Sequence, residues 1–175
     1  MDHYVPKRRI PATLWTGDRR DVAGWLFLDL DACGAHHPTL LDTLNLSTPF
    51  LPVVVDDVGR VHLFRRDRLL RVTPSRQVMP SDLYARGFQE WREERADVTL
   101  IDGTRLTGRV WMPLERESQR LSDFLNHLGP RFFVLITPNG TQFINCAAVA
   151  EVGLDEGAGA PLAPFAHRED ALGAA

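Results

Sequence analysis

Apolar and polar positions alternate, or gather in short blocks, along most of this chain, and the blocks are separated by turn residues. Val98 and Leu100, then Leu106, Val110 and Met112, fit extended segments on either side of Asp102-Gly103. That pair favours a hairpin turn because both residues tolerate positive φ. Asn139-Gly140 is a second such turn, between the apolar runs 132–137 and 141–144, and Asp56-Asp57-Val58-Gly59 takes its place in the first half. Between the hairpins, segments 39–44 and 119–125 space leucines three or four apart, which predicts one short helix in each half. The stretch from Pro74-Ser75 to about Arg95 predicts a helical connector. Ser81 would be its N-cap, Leu83, Tyr84, Phe88 and Trp91 its apolar face, and Glu90, Arg92, Glu93 and Glu94 its wet face, with Gly87 as a weak point.

The two halves share an order of segments. Thr13-Leu14-Trp15-Thr16-Gly17 matches Thr99-Leu100-Ile101-Asp102-Gly103, and Val22-Ala23-Gly24-Trp25-Leu26-Phe27-Leu28 matches Leu106-Thr107-Gly108-Arg109-Val110-Trp111-Met112. Leu40-Leu41-Asp42-Thr43-Leu44-Asn45 then matches Leu121-Ser122-Asp123-Phe124-Leu125-Asn126, Phe50-Leu51-Pro52-Val53 matches Phe132-Phe133-Val134-Leu135, and Leu69-Leu70-Arg71-Val72 matches Val149-Ala150-Glu151-Val152. Several matches in one order, with small gaps, indicate internal duplication. The expected organisation is an N-terminal arm (1–9), a first β repeat (10–73), a partly helical connector (74–95), a second β repeat (96–152) and a flexible tail (153–175). The fold class expected is mainly β with short helices, each repeat a small bent barrel or sheet of about four strands plus one short helix.

Composition changes this picture little. The 175 residues are 44% hydrophobic, ordinary for a globular protein. The longest apolar runs, such as 50–55 and 132–136, fall far short of the roughly 18 residues expected of a membrane span. The N-terminal residues are not followed by an apolar signal core, so the expected compartment is the cytoplasm. Cys33 and Cys146 fall at non-equivalent places and form no CxxC, which speaks against a disulfide framework. Net charge is −3, but residues 1–80 carry a net +2 and 81–175 a net −5. Lys7 is the only lysine among the 20 basic residues. Such an arginine bias, with abundant Ala, Gly and Pro, marks a GC-rich bacterial genome before it marks anion recognition.

Three groups of residues invite chemistry. Cys33, His36 and His37, just after Asp29 and Asp31, are the densest set of possible metal ligands. Zinc needs three or four ligands in tetrahedral reach and nothing elsewhere announces the remainder, so a plain polar loop is favoured and no metal or other cofactor is expected. The basic run Arg60, Arg65, Arg66, Arg68, Arg71 and Arg76 faces only Asp67 locally. It suits anions or an acidic partner, or else guards a sheet edge and pairs with the acidic second half. Asp42 and Asp123, with Asn45 and Asn126, recur at matching places, and helix capping explains them better than catalysis. No GxSxG, P-loop, GxGxxG or HExxH is present.

The phrase Leu121-Ser122-Asp123-Phe124-Leu125-Asn126 resembles a group of small bacterial proteins with a Leu-Ser-Asp-x-Leu-Asn signature, and Leu41-Asp42-Thr43-Leu44-Asn45 is a partial copy. That resemblance implies no activity. A small bent barrel is also similar in shape to the Sm-type fold, which implies single-stranded RNA bound at loop tips. The Sm motifs, Asp-x-apolar-Met-Asn and Arg-Gly, are missing from both halves, the helix falls inside each repeat, and the net charge is negative, so nucleic acid is disfavoured as a partner. The expected function is a non-catalytic protein-protein interaction or scaffold module in a larger bacterial assembly. Nucleic-acid or nucleotide binding through the basic run is the alternative, and a metal-dependent enzyme the last choice.

Overall fold

Buried Ile10, Ala12 and Leu14 alternate with half-buried Pro11, Thr13 and Trp15, so β1 (Lys7–Thr16) turns one face to a core. It folds back on β2 (Asp21–Asp29), which adds Leu26 and Leu28 to the same interior. A computed structural model describes residues 7–18, 20–29, 38–55, 59–85, 91–113, 120–129 and 131–154. After β2 come α1 (Leu40–Leu44), β3 (Phe50–Val55), β4 (Arg60–Arg65), a 3-10 turn (Arg66–Arg68) and β5 (Leu69–Pro74). A short helix, α2 (Pro80–Leu83), precedes β6 (Trp91–Leu100) and β7 (Arg105–Pro113). Then follow α3 (Leu121–Leu128), β8 (Phe132–Thr137), β9 (Gly140–Asn145), a second 3-10 turn (Cys146–Ala148) and β10 (Val149–Leu154).

Among the described residues the strands form one antiparallel, open sheet in the order β10-β6-β7-β8-β9-β5-β1-β2-β3-β4. This corrects the expectation of small barrels with about four strands each. Each half contributes five strands, and neither closes. Closure of the first half would require β4 to pair with β5, but the edge of β5 is taken by β9, with Arg71 opposite Ile144 and Val72 opposite Phe143. Each half nevertheless follows one internal order: its last strand lies beside its first, and the next three follow in sequence. Strand pairing sets Leu14 opposite Val72 and Val98 opposite Val152. Leu14 thus corresponds to Val98, two residues before the match drawn from sequence.

The ladders where β2 meets β3 and β7 meets β8 are short, two and three residue pairs. Glycine is required at both. A Cβ on Gly24 would lie 2.7 Å from the carbonyl oxygen of Val54, and one on Gly108 2.5 Å from that of Ile136. Both contacts involve backbone, which cannot swing away as a side chain does.

The short helices are capped much as the sequence suggests. Thr39 caps α1, its N–H and hydroxyl donating to the Asp42 carboxylate at 2.9 and 2.8 Å while its Oγ1 accepts from the Asp42 N–H at 3.2 Å. At α3 the Asp123 carboxylate accepts from the Arg120 N–H, and Glu94 of β6 accepts from the Leu121 N–H. Asn45 departs from the expected left-handed cap, with φ −94° and ψ 7°, and Asn126 lies inside α3, whose C-cap is Gly129, instead of at its end. The Asn45 amide reaches into the second half, donating to the Phe132 carbonyl at 3.0 Å and accepting from the Phe132 N–H at 2.7 Å.

The connector also differs from expectation. Pro80, with its φ preset, occupies the first turn of a four-residue helix that contains Ser81 instead of being capped by it. Tyr84 is already extended, and its ring packs 5.0 Å from that of Trp111. Trp91 opens β6 opposite Pro113. Phe88 lies outside the described residues.

Two cores result. The first gathers Ile10, Leu14, Leu26, Leu40, Leu44, Leu69 and Val72 with Trp111, Phe132, Val134 and Phe143 from the second half. The second gathers Val98, Leu100, Val110, Met112, Leu121, Phe133, Leu135 and Ile144. β8 and β9 therefore bury both faces, Phe132 and Val134 toward one core, Phe133 and Leu135 toward the other. Replacing Gly108 by Ala should lower unfolding free energy by about 1–3 kcal/mol in urea melts, and Gly24→Ala should do likewise. An unchanged midpoint for either variant would show that the strands do not need this approach.

Candidate functional site

The six arginines singled out from sequence do not form one surface. Arg66 is buried, 9% exposed, and its guanidinium donates to the Thr48 carbonyl at 2.6 Å, the Thr48 hydroxyl at 3.2 Å and the Leu44 carbonyl at 3.4 Å. It ties the turn after β4 to the end of α1, and burial pulls its pKa down. Arg71 lies 4.0 Å over the ring of Trp15 and donates to the Gln142 side chain across the β5–β9 seam at 3.4 Å. Burial lowers its pKa too, opposed by the charge of Asp102. Arg65 makes a bidentate, exposed pair with Asp67, at 3.0 and 2.7 Å, which raises the arginine and lowers the carboxyl. Arg60, Arg68 and Arg76 are exposed.

The possible metal ligands Asp31, Cys33, His36 and His37 lie outside the described residues, as does Phe165. Among the described residues no group of three His, Cys, Asp or Glu side chains converges as a metal site requires. No described helix is long and apolar enough to cross a membrane. A cleft of about 350 Å³ opens between Pro74, Arg76, Pro80, Leu83, Asn139 and Thr141. Its described lining offers one cation, hydroxyls and an amide, without a carboxylate, imidazole or thiol beside them.

The outer edges of the sheet are the more informative surfaces. Among the described residues, β4 and β10 each have a strand on one side only. On β4 and its neighbour β3, Phe50, Val61 and Leu63 are 44%, 60% and 65% exposed, and Pro52 between them is exposed as well. Pairing brings Phe50 opposite Arg65, Pro52 opposite Leu63 and Val54 opposite Val61, so these residues form one apolar row beside an open ladder. Along β10, Glu151 and Leu154 are exposed and Val149 and Val152 half-buried. Sequence alone suggested edge protection by arginine but not this row. The usable signal was the unbroken apolar run Phe50-Leu51-Pro52-Val53-Val54-Val55, which exceeds what a strand buried on one face requires.

Comparison with known proteins finds no matching family model, no curated relative and no similar solved structure. Arg66→Ala should cost about 1.5–3 kcal/mol of stability by stranding the Thr48 and Leu44 carbonyls. Arg66→Lys should restore little of that, because one ammonium does not reproduce the fork. Arg60→Ala and Arg68→Ala should stay within about 0.5 kcal/mol. Denaturant titration of the four variants distinguishes them, and equal losses would rule out the strut role for Arg66.

Proposed function

We propose that this chain is a non-catalytic interaction module, a duplicated β unit that engages protein through the outer edges of its sheet. Duplication is supported by the recurring order of two strands, helix, two strands, 3-10 turn and strand, and by the same strand order within each half. The single observation that carries the interaction is the apolar row Phe50, Pro52, Val61 and Leu63 alongside the open ladder of β4. An edge strand presents unpaired N–H and C=O groups at the spacing another strand requires, and proteins normally blunt such edges with charge or proline. On β4 the arginines fall at the two ends, Arg60 and Arg65, and on the face between them Val61 and Leu63 are apolar, with His62 on the opposite face. Backbone pairing would supply affinity there and the side-chain row selectivity.

Cross-linking with mass spectrometry in cells that make this protein tests the proposal. Cross-links to protein should map to β3, β4 or β10, and the double substitution Val61→Lys with Leu63→Lys should remove those at β4 while leaving the circular dichroism spectrum intact. Cross-links confined to other surfaces, or unaffected by the lysines, would overturn it.

A further inference from the structure

We infer that the partner of the β4 edge is the β10 edge of a second copy of this chain, joined as β9 joins β5 within one molecule. The inference rests on the interaction-module proposal above and names its partner. β4, the 3-10 turn and β5 have lengths of 6, 3 and 6 residues, and β9, its 3-10 turn and β10 repeat those lengths. Each position in one set therefore has a counterpart in the other. The internal seam uses β9 from the second half and β5 from the first. The strands left at the outer edges are their counterparts, β4 and β10.

Burial follows the same correspondence. Phe132, Val134 and Phe143 are 3%, 0% and 0% exposed because the first core covers them. Their counterparts Phe50, Pro52 and Leu63 are exposed. On the receiving side, Leu44, Leu69 and Val72 are fully buried, whereas their counterparts Leu125, Val149 and Val152 are only half-buried on the second core. Both surfaces thus carry the side chains of the internal seam, each without its cover among the described residues.

The polar contacts transfer as well. Asn45 clasps both backbone groups of Phe132; its sequence counterpart Asn126, exposed within α3, would take Phe50 of the next copy. Asn145 donates to the carbonyls of Arg66 and Leu69; its counterpart Arg65, paired with Asp67 in its own chain, would turn guanidinium donors from that exposed pair to the carbonyls of Cys146 and Val149. Arg71 donates to Gln142, and the corresponding pair, Glu151 and His62, combines an acid with a base. By the register of the seam, Leu63 faces Val152 and Phe64 faces Glu151. Because the two surfaces differ, the contact is head-to-tail and either closes into a ring or continues as a filament.

Light scattering of the purified full chain after size exclusion, over a range of concentrations, should give a mass that is a multiple of the monomer. A constant multiple indicates a ring and a rising one a filament, and either supports the pairing. Val61→Lys with Leu63→Lys should return the monomer, and Asn126→Ala should weaken association roughly tenfold by removing two hydrogen bonds. In a background with Cys33→Ser and Cys146→Ser, Leu63→Cys and Val152→Cys should cross-link when mixed but not separately. The inference is overturned by a monomer at every concentration, by association indifferent to these variants, or by β10 cross-linking only to residues 155–175 of its own chain. A purified monomer whose edges cross-link to a different protein in cells would defeat pairing between copies yet leave the interaction module standing. A monomer without edge cross-links in cells would defeat both.

Discussion

Burial of both faces of β8 and β9 is the constraint on which the other features depend. A strand with one apolar face needs one core, but Phe132-Phe133-Val134-Leu135 directs apolar side chains both ways. The second half covers Phe133 and Leu135 with its own helix and strands. Phe132, Val134 and Phe143 are covered only because β9 adds to the edge of β5 and brings them over the core of the first half. Burying each such side chain is worth about 1.5–3 kcal/mol, whereas the seam itself has only two ladder positions. Side-chain packing, more than backbone pairing, therefore holds the halves together.

Polar groups then make the seam specific. The Asn45 amide satisfies both backbone groups of Phe132, and Asn145 satisfies two carbonyls at the turn into β5. A slip of one residue would reverse the faces of β9 and leave these buried groups unpaired, which costs more than a neutral hydrogen bond contributes. Arg66 and Arg71 belong to the same construction, one anchoring the turn from β4 and the other stacked beside the seam. Arginine at these positions acts as a long, planar, multiply donating strut, and at Arg71 its charge also holds it over the Trp15 ring.

Local signals were legible from the sequence to the extent that their causes are local. The Asp102-Gly103 turn, both helices at leucine-spaced segments and the Asp42 cap all follow from residues within a few positions of one another. The connector was less legible because Tyr84 has helical spacing but is buried against Trp111 in extended conformation, while Trp91, still 36% exposed, opens the strand β6. Barrel closure was misjudged because the competing partner of β5 lies in the other half, and Val72 carries no mark of Phe143. Arg65 and Arg66 are adjacent and chemically identical, yet one is in solvent and the other under α1. Only the three-dimensional path of the turn separates them. The apolar edge of β4 was visible as an unbroken run, though sequence could not distinguish a run covered by its own chain from an uncovered one.

The seam also has a consequence in time. β5 emerges from the ribosome well before β9 exists, a delay on the order of several seconds at about 5–20 residues per second. During that interval the nascent first half holds Val72, Leu69 and Leu44 without their cover, beside a strand edge seeking a partner. Neighbouring chains on one messenger present the same edge together, with β4 as the nearest substitute for the missing β9. Biosynthesis of this protein is thus a race between its own second half and its neighbours, and slow synthesis between β5 and β9 would favour the wrong winner.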